Sequence, residues 1–510
     1  MHLRFTPVPD WPRLAWLARC RRGDPTVEVF HGPEVETTPD WFCEAVWDGE
    51  FRRAGFDETD VVFGSGARRH GASITFVSSG STVDRLHSHE TAGTAWVANS
   101  LVCLLVAIGA DVDPTYAAYY EDFKSISDGL ARYTRSVATS AGPVRLTYFH
   151  NLVWDGSALR ERSKPGPERD FGDFAAYRGF LEASLAGLAQ NMSSPDRAFP
   201  FQMLGTISSG YDSPAVAVLA QPYGLEEAIA FEPSSRGAPD SGEAIARALG
   251  VQLRHLDRDA WRAPGAPAGP EVPFLAADAK GEDVYFRGAE AYLARRVLVT
   301  GYHGDQMWSK RPRAKNADVV RGDQSGLSLS EYRLWAGFLH LPVPFLGVRQ
   351  IGDVSALSRS PAMASWDVPG AYSRPICRRI VETAGVARGA FGVRKQTASV
   401  LFFERDDVLS PGSLADYGEW LRTHAAEWRD RGLAAPSPAA AHGAAVRLRA
   451  ALARLASPRL RNALGLARGA RLFPHLFPWA VERAKPRYRA GLYEAIAERQ
   501  HRAPEQRARA

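Results

Sequence analysis

Residues 203–220 read Met203-Leu-Gly-Thr-Ile-Ser-Ser-Gly-Tyr-Asp-Ser-Pro-Ala-Val-Ala-Val-Leu-Ala220. Leu204 to Ile207 form the short apolar run of a buried strand. Ser208 to Ser213 make a small, hydroxyl-rich turn. Pro214 stands at the opening of a helix, where its missing N–H costs nothing. Ala215 to Ala220 continue that helix and Gly224 ends it. A strand, a tight polar turn and a helix N-terminus together bind phosphate, because free N–H groups and the helix dipole both face the anion. Ser208, Ser209 and Ser213 add hydroxyl donors. Asp212 would repel a bare phosphate, so its presence implies a bridging Mg²⁺.

Working outward, Asp170 to Asn191 carries an apolar stripe at Phe174, Tyr177, Leu181, Leu185 and Leu188, which predicts a helix leading into the strand. Further strands are read at Ala228–Phe231, Val251–Leu256 and Arg296–Thr300. Between them, Asp240–Gly250 reads as a helix capped by Asp240, and Asp283–Arg295 as another helix. Strands alternating with helices predict right-handed crossovers and a parallel sheet with helices on both faces. A ligand is then expected at the carboxyl ends of the strands. The last strand runs into Gly301-Tyr-His-Gly-Asp-Gln-Met-Trp308, which places Asp305 beside Asp212 at one sheet edge. Two carboxylates converging there suit a Mg²⁺ that neutralises a triphosphate. The plainer reading of Asp305 is a helix cap. His303 has no second histidine at ligand spacing, so hydrogen bonding or packing is expected of it rather than metal binding.

The first stretch resembles the PP-loop, Ser-Gly-Gly-x-Asp-Ser, of the ATP pyrophosphatases, and within them the synthetase domain of asparagine synthetases and β-lactam synthetases. Ser208, Gly210, Asp212 and Ser213 match, and Ser209 replaces a glycine. The second stretch resembles that family's Gly-Glu-Gly-x-Asp-Glu signature: Gly301 and Asp305 match, whereas Tyr302, His303 and Gln306 depart from it. The resemblance covers residues 170 to 400. It implies an α/β PP-loop domain over 166–410, preceded over 1–165 by a degenerate glutaminase-like α+β domain and followed over 411–510 by a basic helical region.

For function, the resemblance implies an ATP-dependent, AMP-forming amide ligase that activates a small-molecule carboxylate for attack by an amine or ammonia. ATP contacts are implied at Ser208, Ser209, Gly210, Tyr211, Asp212, Ser213, Phe231, Thr300 and Gly301, and Mg²⁺ ligands at Asp212 and Asp305. Lys395, in Phe391-Gly-Val-Arg-Lys-Gln-Thr-Ala-Ser399, is the counterpart of a family lysine that reaches the phosphates. Tyr302 stands where asparagine synthetases carry a glutamate that helps deprotonate the amine, and a phenol of pKa about 10 is a poor base unless perturbed. The alternative is a nucleotide-binding or scaffold relative without chemistry, favoured by Ser209, Tyr302 and Gln306. A sulfurtransferase is a weaker third reading, because only Cys377 lies C-terminal to the motif.

The rest of the chain sets the frame. At 510 residues it is too long for one core. Its four cysteines, Cys20, Cys43, Cys103 and Cys377, lack metal spacing and fit a reduced cytoplasmic setting. Met1-His2-Leu3-Arg4 reads as no signal peptide, and no apolar run reaches the ~20 residues of a membrane span. His2 stands where the glutaminase nucleophile would be a cysteine, so glutamine hydrolysis is not expected.

Residues 1–24 read as irregular, Val27–Phe30, Val61–Phe63 and Ile74–Val77 as antiparallel strands, and Thr94–Gly109 as a buried helix. Asp113–Arg135 reads as a second helix and Val144–Phe149 as a strand. Residues 436–510 carry 15 Lys/Arg against 4 Asp/Glu. Their Leu472-Phe-Pro-His-Leu-Phe-Pro-Trp479 patch reads either as part of a packed helical lid or as a peripheral contact with an acidic membrane or partner. Aromatic and basic residues do not interleave as a nucleic-acid surface requires.

Overall fold

The computed structural model describes all residues except 235–239, 264–268, 371, 393–397, 401, 403–408, 437–472 and 493–510. The described residues form a mixed α/β protein with three sheets. Two are built from residues 2–162. The first has seven strands, antiparallel except where His2–Pro7 runs parallel to Thr26–His31. The second has six strands, all antiparallel. An apolar layer holds them together, with Trp16 against Phe42 and Phe76 at ring separations of 5.1 and 6.2 Å.

The chain opening is therefore not irregular: His2–Pro7 and Trp16–Arg21 are strands. Nor is Thr94–Gly109 one helix. Thr94–Ala98 is a strand, and Ser100 then caps the helix Leu101–Ile108 by accepting from the Cys103 N–H. A mostly apolar run fits a buried strand as well as a buried helix, and here it supplies both, divided at Asn99-Ser100. The helix expected from Asp113 is confined to Tyr119–Lys124 and a 3-10 turn at Ser125–Asp128.

The third sheet is wholly parallel. Its spatial order is Gln252–Asp257, Glu227–Glu232, Gln202–Thr206, Arg296–Thr300, Leu339–Pro342. The first three strands in sequence progress outward to one edge, and the fourth returns to pair with Gln202–Thr206. Crossovers leave those two central strands in opposite directions, so the sheet's topological switch point lies between them. The crevice such a reversal opens is at their carboxyl ends, after Thr206 and Thr300.

The C-terminal part packs across both regions. Phe473, Leu476, Phe477 and Trp479 are all buried, so the aromatic patch read from the sequence is core, not an exposed contact surface. His475 Nδ1 lies 3.0 Å from the Pro114 carbonyl, Lys485 donates to the Ala110 carbonyl at 2.7 Å, and Trp11 donates to the Tyr488 carbonyl at 2.9 Å. Beneath them Glu331 is buried, with Ser100 donating to it at 2.7 Å and Tyr488 at 2.5 Å. Arg333, also buried, joins Glu44 at 2.6 Å and Asp84 at 2.8 Å. Arg333 fits an interior because it is paired with two carboxylates, and Glu331 because hydroxyl and indole groups donate to it. Among the described residues no helix is long and apolar enough to cross a membrane.

Candidate functional site

A cleft opens at the switch point. Its walls come from the loop after Gln202–Thr206, from Phe231 at the end of the next strand, from the loop after Arg296–Thr300, and from Tyr285, Asp323 and Arg374. The helix after the first loop runs Asp212–Ala220, so Pro214 is its third residue and not its first. No side chain caps that helix. Its first residues, Asp212 and Ser213, line the cleft beside Ser208, which puts the positive end of the helix dipole at the cleft wall. The Ser208 and Ser213 hydroxyls lie 2.9 Å apart, and Ser213 Oγ also accepts from the Ser208 N–H at 3.0 Å, which curls the loop into a cup.

Asp212 and Asp305 both line this cleft. The fit behind Asp212 explains two glycines. A Cβ on Gly301 would lie 2.7 Å from Asp212 backbone and Cβ atoms, and one on Gly304 would lie 2.6 Å from its carboxyl carbon. Gly301, expected as a nucleotide contact, makes room for Asp212. Gly304, not singled out from the sequence, does the same. Asp305 does not cap its short helix, Gly304–Met307, whose N-cap is His303. Burial, then the charge of Asp323, raises Asp305 above the usual carboxylate range, with Arg374 pulling the other way.

The remaining expected residues divide. Ser208, Gly210, Tyr211, Asp212, Ser213, Phe231, Gly301, Tyr302 and Asp305 come together on the cleft. Ser209 and Thr300 do not line it. Ser209 turns its N–H and Oγ to Asp240 Oδ1, at 2.8 and 2.6 Å. Asp240 therefore clamps the loop; it does not cap the following helix, which begins at Glu243 behind a left-handed Gly242. Thr300 is buried, its Oγ 2.8 Å from His340 Nε2. Most of the Tyr211 ring packs into the core, with Arg378 Nε donating to its hydroxyl at 3.2 Å. Lys395 lies outside the described residues.

Tyr302 sits in a hydrogen-bonded chain. Its hydroxyl is 2.7 Å from that of Tyr285 and donates to Asp283 Oδ1 at 3.2 Å. Asp283 Oδ2 in turn accepts from Ser328 Oγ at 2.6 Å and the Gly326 N–H at 2.9 Å. Burial, then the neighbouring Tyr285 and Asp283, hold the Tyr302 phenol well above its ordinary range, so it keeps its proton at neutral pH. Burial pushes Asp283 up to about 6. His303 adopts a left-handed backbone, φ 72°, and its ring stacks on Phe345 at 4.6 Å. That matches the packing role expected of it.

Arg374 was not singled out from the sequence. Its guanidinium pairs with Asp212 Oδ2, and Cys377 Sγ lies 3.8 Å from Asp212 Oδ1. The pair spans 162 residues, a separation no local pattern reveals. Among the described residues no group of three or more His, Cys, Asp or Glu side chains is placed to hold a metal ion. Comparison with protein-family models and with curated proteins gives no match.

Proposed function

We propose that this chain is an ATP-dependent carbon–nitrogen ligase of the asparagine synthetase-like PP-loop type, without glutaminase activity. One observation carries the reading. The two central parallel strands end in loops that bring Ser208, Asp212 and Ser213 together with Asp305 in a single cleft at the switch point. In the proposed reaction a substrate carboxylate attacks the α-phosphorus of ATP and pyrophosphate leaves. An amine or ammonia then displaces AMP from the acyl-adenylate.

The residues present fit Mg²⁺ brought in with the nucleotide and not a stand-alone metal site. Mg²⁺ in nucleotide sites takes one or two protein carboxylates and fills its shell with phosphate and water oxygens. Asp212 and Asp305 would supply those carboxylates, and the Arg374 pairing marks Asp212 as a seat for positive charge. The metal would neutralise charge on the departing pyrophosphate. The loop hydroxyls of Ser208 and Ser213 and the helix N-terminus would hold phosphate oxygens, with Phe231 beside the nucleoside. Lys395 would be the cation for the α-phosphate. Tyr302 is no base itself. Its phenol, which donates to Asp283 Oδ1, would pass a proton from the amine to that carboxylate, which at about 6 is ionised at neutral pH.

The test is ATP–pyrophosphate exchange over a panel of carboxylic acids. Exchange dependent on one class of acid, with amide and AMP formed once amine is added, is the expected result. A second reading, nucleotide binding without chemistry, rests on Ser209, which does not line the cleft and has its N–H and Oγ engaged by Asp240. Mg·ATP binding without exchange on any acid would favour it.

A further inference from the structure

Arg374 is placed as a permanent cation inside the cleft. It precedes the helix Pro375–Thr383, and the proline that follows keeps it out of helical backbone, at φ −132° and ψ 85°. The residue is 8% exposed. Its guanidinium joins Asp212 Oδ2, acts electrostatically on Asp305, and has its carbon 5.9 Å from the Tyr372 ring centre. Two carboxylates at a partly desolvated sheet edge need a positive partner. Here the chain supplies one itself, at the position where a metal ion would serve.

A metal ion arriving alone and seated on Asp212 Oδ2 would displace Arg374 and leave a buried guanidinium unpaired, which is costly. A metal arriving on a triphosphate brings the replacement partner with it. Arginine's planar fork suits phosphate oxygens, and charge-assisted pairs of that kind are among the stronger hydrogen bonds. Resting on the nucleotide reading above, we propose that Arg374 is a built-in counter-ion. It occupies Asp212 and shields Asp305 while the cleft lacks nucleotide, and it transfers to the polyphosphate when metal and nucleotide enter together. Metal and nucleotide then bind with positive coupling, and the metal alone binds poorly.

The experiment uses the full chain and two probes, Mn²⁺ without nucleotide and Mg·ATP, each titrated by calorimetry. Arg374→Ala should tighten Mn²⁺ alone by about tenfold, because the carboxylates are vacated, and weaken Mg·ATP by about tenfold, because the phosphate loses a charged partner. Shifts of opposite sign are what a merely structural role would not produce. If folded Arg374→Ala weakens both probes, or changes neither, the proposal is overturned. Should Arg374→Ala not fold, Arg374→Lys keeps the charge but not the fork, and the same opposite shifts of about threefold are expected; equal or parallel shifts overturn it. Failure of the parent chain to bind Mg·ATP at all would remove the nucleotide reading itself. Parent binding with an unchanged variant removes only the role of Arg374.

Discussion

Asp240 holds Ser209 twice with one oxygen: Oδ1 accepts from the Ser209 N–H at 2.8 Å and from its Oγ at 2.6 Å. The resemblance puts a glycine at this position, and a serine there needs somewhere to send its hydroxyl. Asp240 provides that place and fixes the loop in the same contact. Charge-assisted bonds of this kind contribute about 1.5–3 kcal/mol each to stability, and contacting residues couple in double-mutant cycles. Ser209→Ala combined with Asp240→Asn should give a coupling of about 1–2 kcal/mol in denaturant unfolding. Strict additivity would show that the contact does not hold the loop.

Gly304→Ala tests the crowding behind Asp212. Gly304 lies in a short helix and its φ is not in the left-handed region, so on propensity alone alanine should stabilise. The Cβ would stand 2.6 Å from the Asp212 carboxyl carbon, and overpacking of that kind costs about 1–3 kcal/mol. A lower melting temperature together with weaker Mg·ATP binding is expected. An unchanged or higher melting temperature would mean that Asp212 moves aside freely.

Asp278 should make stability depend on pH. It is fully buried, Oδ1 accepts from the Lys280 and Gly281 N–H groups at 3.0 Å each, and Oδ2 has no partner among the described residues. Burial pushes it up to about 6, with those N–H bonds opposing. The folded state therefore binds the proton more tightly than the unfolded chain does. The stabilisation is fully present below pH ~4 and is lost as pH rises through about 6. Asp278→Asn keeps an acceptor and removes the titration. The unfolding free energy of the parent relative to this variant should fall across that window by an amount on the order of 3 kcal/mol, then level off. A difference that does not vary with pH would contradict the assignment.

What was legible in the sequence follows from the physics of each element. The parallel strands 202–206, 227–232 and 296–300 stood out because their buried centres read as short apolar runs bounded by turns, whereas 252–257, a half-exposed edge strand, showed itself only through its place between a helix and a loop. From their alternation with helices came the expectation that Asp212 and Asp305 share an edge. The same kind of run misled at Thr94–Ala98, where the strand passes into the helix Leu101–Ile108 across only two polar residues, Asn99 and the cap Ser100. Asp240 was misread because a capping pattern is local, whereas its partner Ser209 is 31 residues away. Arg374, Tyr285 and Asp283 escaped notice for the same reason: their partners are set by the sheet order, not by spacing along the chain.

In the proposed function Asp212 and Asp305 jointly seat the cation of a metal–nucleotide complex at the sheet's switch point. The most direct measurement is ATP affinity by calorimetry, with Mg²⁺ and with chelator, on the parent, Asp212→Asn and Asp305→Asn. Each amide keeps the side chain's shape and deletes its charge, so a loss of about 2 kcal/mol, or roughly thirtyfold, is expected in the Mg²⁺-dependent part of the affinity. Mg²⁺ should strengthen ATP binding to the parent and no longer do so in either variant. If both variants bind Mg·ATP as tightly as the parent, the carboxylates do not seat the cation, and the ligase reading falls with them.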